Sequence, residues 1–185
     1  MAKLPTTVEY GQTVLAARRQ KDDLFRTGAD SPVPAAEREI FPPLDYYPVD
    51  PSWRLSLPMI PDRNPEILIL VTNMGEKRRL SRVGHVAFVR EGAAQRLAVY
   101  RILDDPTPAN AVFIPFTDAG SGKETYPGGR YLDTFVSPDG TVSLDFNVAY
   151  NPYCAYGWAY SCPIAPSENR LAIAVRAGEK GFHHP

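Results

Sequence analysis

Residues 67–103 read ILILVTNMGEKRRLSRVGHVAFVREGAAQRLAVYRIL, and the punctuation of this stretch decides the fold. Runs suited to a pleated, half-buried surface (ILILV, KRRLSR, HVAFV and RLAVYRIL) are broken by turn signals at Asn73-Met74-Gly75 and Arg90-Glu91-Gly92. Links this short join antiparallel neighbours, because a parallel pair needs a long crossover. The same rhythm continues through NAVFIPF, RYLDTFV, TVSLDFN and RLAIAVRAG, which predicts about eight strands between residues 66 and 179. The expected class is α+β, mainly β: an antiparallel meander that closes into a barrel or a bent sandwich.

Upstream the pattern changes. From Thr7 to about Phe25, apolar Val8, Val14, Leu15, Leu24 and Phe25 recur at helical spacing among charged residues, with Thr6 or Thr7 as cap. PAAEREIF suits a second, short helix, since Pro34 is tolerated in a first turn. The segment FPPLDYYPVDPSWRLSLPMIPDRNPE holds seven prolines and must be extended, with an edge strand around Trp53 to Leu57. Phe41, Leu44, Tyr46, Tyr47 and Trp53 are too apolar to stand in water, so this segment is expected to strap across the sheet. One domain of 1–185 follows: helical 1–41, proline-rich strap 42–65, β core 66–179 and a flexible tail at 180–185.

A chain of 185 residues, 44% apolar and 22% charged, is long enough for one real core and far from a disordered composition. A formal charge of −1 with scattered basic residues argues against a nucleic-acid partner, which needs a concentrated positive field. The N-terminus lacks the apolar stretch of a signal peptide and no 18-residue apolar run follows, so a cytoplasmic protein with no membrane partner is expected. A homo-oligomer is allowed by the composition.

The strand at 130–136 and the strand at 141–147 are linked by four residues, or by two if Asp139-Gly140 alone makes the turn. Either choice puts Arg130, Leu132 and Thr134 on one side with Ser143, Asp145 and Asn147. Tyr131 and Phe135 then share the other side, the core, with Val142, Leu144 and Phe146. An Arg130–Asp145 pair is expected on the polar side, which either faces solvent or lines a cavity mouth.

AGSGKE at 119–124 follows a hydrophobic run but fails as a phosphate loop. Glu124 stands where Ser or Thr is required, and Pro127-Gly128-Gly129 forbids the helix that would hold the phosphate. A glycine-rich loop that places Asp118, Glu124 and Tyr126 near Arg130 fits better. DFNVAYNPYCAYGWAYSCP is a strand end opening into an aromatic loop. There Asn147 and Asn151 suit turn backbone, and Tyr150, Tyr153, Tyr156, Trp158 and Tyr160 suit either a core edge or a pocket wall. Cys154 and Cys162, eight apart, are open to reduced packing, a disulfide or a reactive thiol. With His85 the one internal histidine, no zinc set is visible, and neither a metal nor a cofactor is expected.

With these residues in view, the chain resembles the prokaryotic family known as domain of unknown function 1684. The resemblance rests on KDDLF, FPPLDYYPVDPSWRL, GHVAFV, FIPFTDAGSGKETYPGGRYLD, LDFNVAYNPYCAY and SCPIAPSENRL. It implies that Asp118, Tyr126, Arg130, Tyr131, Asp145, Asn147, Tyr150, Asn151, Cys154, Cys162 and Asn169 belong to the family's motif blocks. It implies no catalytic roles.

The function expected is binding of a small polar or amphipathic ligand in a pocket at one end of the sheet. Arg130 would pair an anionic or hydroxyl group, Asp145 and Asn147 would orient it, Tyr126, Tyr150 and Trp158 would supply stacking surface, and Asp118 and Asn151 belong to the same expected site. Two alternatives stand beside it. One is a hydrolase or isomerase using Asp118 or Asp145, with Cys154 as a nucleophile; the other is an interaction module docking through a sheet edge or the aromatic loop.

Overall fold

In the computed structural model, which describes residues 6–104 and 106–182, the chain opens with α1 (Thr7–Thr27). Thr6 caps it by accepting from the Glu9 amide, and Glu9 reaches back to the Thr6 amide, a complete capping box. Seven strands follow: β1 (Arg54–Pro58), β2 (Ile60–Val71), β3 (Lys77–Arg90), β4 (Ala93–Ile102), β5 (Ala111–Phe116), β6 (Arg130–Phe135) and β7 (Thr141–Asp145). Five of them form an antiparallel meander in the order β2-β3-β4-β5-β6, and β1 pairs with β7 in a second, two-stranded sheet.

Met59 alone separates β1 from β2, and a tight turn joins β6 to β7, so the small sheet folds over one face of the large one. The result is a strongly bent sandwich rather than a closed barrel. Its main core lies between the sheets, where Val86, Leu97, Val99, Ile114, Phe116, Leu132, Val142, Leu144 and Phe146 are buried. A second apolar cluster, Leu70, Leu80, Tyr100, Phe113 and Tyr131, covers the opposite face of the large sheet. A third joins the end of α1 to the strap and the aromatic loop through Phe25, Phe41, Leu44 and Tyr156.

The expected strap is present up to Trp53, with Phe41, Leu44, Tyr47 and Trp53 buried and Tyr46 partly so, but its expected remainder to residue 65 is strand, β1 and the start of β2. KRRLSR and HVAFV form one 14-residue strand instead of two. It bends at a register shift between Arg82 and Gly84, where a Cβ on Gly84 would stand 2.5 Å from the Ile60 carbonyl oxygen. PAAEREIF yields only turns and a 3₁₀ segment, Arg38–Ile40. RLAIAVRAG is extended, with Leu171, Ile173, Val175 and Ala177 buried, yet it forms no ladder, so among the described residues six strands, β2 to β7, stand where about eight were expected, and β1 precedes them.

β4 and β5 share a single residue pair, Tyr100 with Phe113. Asn169 fills the gap beyond it, accepting from the Ala98 amide at 2.7 Å and donating to the Ala98 and Pro115 carbonyls at 3.0 and 2.8 Å. Of the expected tail, Phe182 stacks on Phe41 and the Gly181 amide donates to the Glu124 carbonyl, while 183–185 lie outside the described residues. No helix among the described residues is long and apolar enough to cross a membrane.

Candidate functional site

The β6–β7 turn determines which side chains can form a site. Ser137 donates to the Thr141 carbonyl, Gly140 donates back to Ser137, and Gly140 sits at φ +80°, a three-residue loop with a left-handed last position. Val136 therefore faces Val142, one residue away from either expected register. That one-residue difference reverses the faces: Arg130 and Leu132 point to the core with Val142 and Leu144, and Tyr131 and Asp133 point away from it.

Arg130 is consequently 1% exposed. Its guanidinium donates to Asp118 Oδ2 at 2.8 Å and to the Val175, Ala177 and Glu179 carbonyls at 2.8, 2.5 and 2.8 Å. Burial opposes its charge and Asp118 favours it. The expected Arg130–Asp145 pair is not formed. Asp145 instead accepts from the Tyr10 hydroxyl at 2.8 Å and from the Asn147 amide at 3.0 Å.

Asn147 holds the strap, exchanging hydrogen bonds of 2.8 Å with both the amide and the carbonyl of Asp50. Asn151 donates its amide to Glu179 at 2.7 Å and its side chain to Tyr156 and to the Lys180 carbonyl. The Tyr126 hydroxyl lies 3.7 Å from Cys154 Sγ, and Trp158 stands 84% exposed. The residues expected to line one site thus fall into separate groups: Asp118 with Arg130, Asp145 with Asn147, Asn151 with Glu179, and Tyr126 with the cysteines.

Tyr150 alone of the proposed stacking residues reaches a cleft of about 610 Å³ between α1, β6 and the 150–162 loop. Phe25, Tyr131, Tyr150, Tyr153 and Tyr160 line it. Tyr153 and Tyr160 meet edge to face with centroids 5.3 Å apart, and Tyr131 and Tyr150 do so at 5.7 Å. These contacts hold the rings as a fixed wall.

Apart from Ser161, whose hydroxyl is bound to Thr72, three non-aromatic polar groups interrupt the wall. Lys21 lies 5.0 Å from the centre of the Tyr150 ring and 5.1 Å from that of Phe25, while its ammonium donates to the buried Glu179 carboxylate. Asp133 accepts from the Tyr150 hydroxyl. Although its outer edge meets solvent, the surrounding chain desolvates the Asp133 carboxyl and raises its pKa, and the Tyr150 hydrogen bond partly offsets that rise. Burial, followed by the Asp133 charge, keeps the Tyr150 phenol neutral.

Cys162 is the third group, and both cysteines are unbridged. The Cys154 thiol and, at 3.4 Å, the Cys154 amide donate to Cys162 Sγ, and with the thiol contact the larger effect they lower the Cys162 pKa to about 7. The Cys154 thiol is pushed upward, first because its proton is shared with Cys162 and then by burial. His85 is not among the groups around them; it lies on β3 opposite Ile60 and Ala98. No group of three or more His, Cys, Asp or Glu side chains suited to a metal occurs among the described residues.

Sequence reading placed Tyr150, Tyr153 and Tyr160 in a candidate pocket wall. It missed Lys21 and Phe25, because both belong to an ordinary amphipathic helix pattern. Only their i, i+4 spacing, which puts a cation and a ring on one helix face, hinted at the site.

Residues 39–180 match the family model described as Protein of unknown function (DUF1684). The chain is also similar to an uncharacterized protein of Haloarcula marismortui, from gene locus rrnAC0354, whose structure was solved by solution NMR. The two share 32% identity over 94% of this chain and 95% of that one, with a TM-score of 0.70. No curated protein matches the chain.

Proposed function

The chain belongs to the DUF1684 family, whose description carries no activity, and we propose from its geometry that it binds a small, ring-bearing amphipathic molecule in the cleft between α1 and the 150–162 loop. One observation carries this reading: five aromatic side chains line about 610 Å³ of space and, with the Ser161 hydroxyl bound to Thr72, leave an ammonium, a carboxyl and a thiol among them to direct a ligand. Pockets that hold small molecules have this character, mostly apolar walls with a few placed polar groups and volumes of about 300–1,000 Å³. The ligand's ring stacks among Tyr150, Tyr153 and Tyr160. Its polar ends meet Lys21, which favours an acceptor or anion, and Asp133, which favours a donor. The unbridged cysteines support a reducing, cytoplasmic setting.

4-Hydroxyphenylacetate offers a ring, an anion and a donor in one compact probe. It is expected to raise the melting temperature saturably, and cyclohexylacetate, lacking the aromatic face and the hydroxyl, is expected to act more weakly. Tyr153→Ala should weaken the aromatic probe about fivefold, the equivalent of about 1 kcal/mol for one ring contact. Trp158→Ala should leave binding unchanged. Absence of a saturable shift, or wild-type affinity in both Tyr153→Ala and Lys21→Met, contradicts the proposal.

A further inference from the structure

We propose that Cys154 and Cys162 form a dithiol site that exchanges with small-molecule disulfides entering the aromatic cleft. Two sulfurs meet at the cleft wall, and only Cys162 lines the open space. Cys162 Sγ receives the Cys154 amide at 3.4 Å and the Cys154 thiol beside it, so the two sulfurs are hydrogen-bonded neighbours.

Cys162 is held in place from another element. Its amide donates to Asn73 Oδ1 at 2.7 Å, and its carbonyl accepts from the Asn73 amide at 3.0 Å, which ties it to the β2–β3 turn. Next to it, the Ser161 hydroxyl donates to Thr72 Oγ1 at 2.7 Å. Cys154 is placed separately, in the 3₁₀ turn Tyr153–Ala155, with the Tyr126 hydroxyl 3.7 Å from its sulfur. Both residues are only partly buried. A cysteine that merely fills an apolar core has neither donors aimed at its sulfur nor a second thiol within reach.

These placements assign unequal roles. Cys162, stabilised as a thiolate near neutral pH, is the attacking sulfur, and a thiol with a pKa close to ambient pH combines thiolate fraction with nucleophilicity. It attacks one sulfur of the incoming disulfide RSSR, forming Cys162–S–SR and expelling RS⁻. Cys154 then gives up its proton to that leaving thiolate and attacks Cys162 Sγ, closing the Cys154–Cys162 disulfide and expelling the second RS⁻. The second RS⁻ takes from solvent the proton that Cys162 released on forming its thiolate, so overall two protein thiols are oxidised and RSSR is reduced to two RSH. The exchange does not depend on which ring-bearing molecule the cleft binds.

The test treats the reduced, full-length protein with 2-hydroxyethyl disulfide, a neutral probe that neither Lys21 nor Asp133 attracts. Wild type should lose two hydrogens by mass, release two equivalents of 2-mercaptoethanol and retain no adduct. Cys154→Ser should accumulate a mixed disulfide that peptide mapping places on Cys162. Cys162→Ser should react about tenfold more slowly, and the wild-type rate should rise with pH through about 7. Stable adducts on both cysteines of the wild type would overturn the proposal, as would equal rates in the two single variants. The wild-type stoichiometry decides the matter even if a variant fails to fold. Binding of 4-hydroxyphenylacetate by fully reduced protein is read separately, so either conclusion can fail without the other.

Discussion

Arg130 does for the last segment of the chain what a neighbouring strand usually does. Residues 171–177 alternate buried and outward positions as a strand would, yet no ladder accepts them. The carbonyls of Val175, Ala177 and Glu179, which lie two apart, converge on one guanidinium instead. Asp118 completes the set and is fixed in turn by the Gly120 amide at 2.6 Å. The proximity of Asp118 to Arg130 was legible from the glycine-rich loop between them. The three carbonyl partners were not, because nothing local announces that a terminal segment will be pinned by a side chain from β6. Breaking a buried pair of this kind leaves an uncompensated charge, so Arg130→Met should cost about 3–5 kcal/mol in urea denaturation. Arg130→Lys should recover little of that loss, since an ammonium cannot span four acceptors with the same geometry. The exposed Arg176, paired with Glu124, provides the contrast: Arg176→Met is expected to leave the urea midpoint close to that of wild type.

Turns, more than strands, separate the observed elements from those read in the sequence. The strand runs, the N-terminal helix and the strap follow from periodicity, capping and proline content. The β6–β7 register does not, because Ser-Pro-Asp-Gly is compatible with loops that differ by one residue. The loop adopted adds a left-handed glycine, and that residue turns Arg130 inward and Asp133 toward the cleft. Gly140 at φ +80° has open space around a would-be Cβ, so Gly140→Ala should cost only the backbone term, about 1–2 kcal/mol. Gly178 at φ +76° is different, because a Cβ there would lie 2.6 Å from the carbonyl oxygens of both Phe146 and Ala149. Gly178→Ala should therefore be the more damaging of the two, and a paired thermal melt of the variants checks the order.

At the scale of the whole molecule, the bent sandwich builds the aromatic cleft by bringing together segments far apart in sequence. Lys21 and Phe25 come from α1, Tyr131 and Asp133 from the outward face of β6, and the remaining rings and Cys162 from the loop after Tyr150. The aromatic loop could be recognised as wall material from its composition. Its opposite wall could not, since a helix that closes a pocket and a helix that covers a core share the same amphipathic pattern. The amides Asn147, Asn151 and Asn169 show the converse: conspicuous in sequence, they hold backbone segments together rather than line the space.

The most direct measurement is the amide chemical-shift map of ¹⁵N-labelled, reduced protein titrated with 4-hydroxyphenylacetate. Saturable changes concentrated at Lys21, Phe25, Tyr131, Asp133 and residues 150–162 are expected. Changes centred on the Asp145–Asn147 end of β7, or no saturable change at all, would contradict the assignment of the aromatic cleft as the binding site.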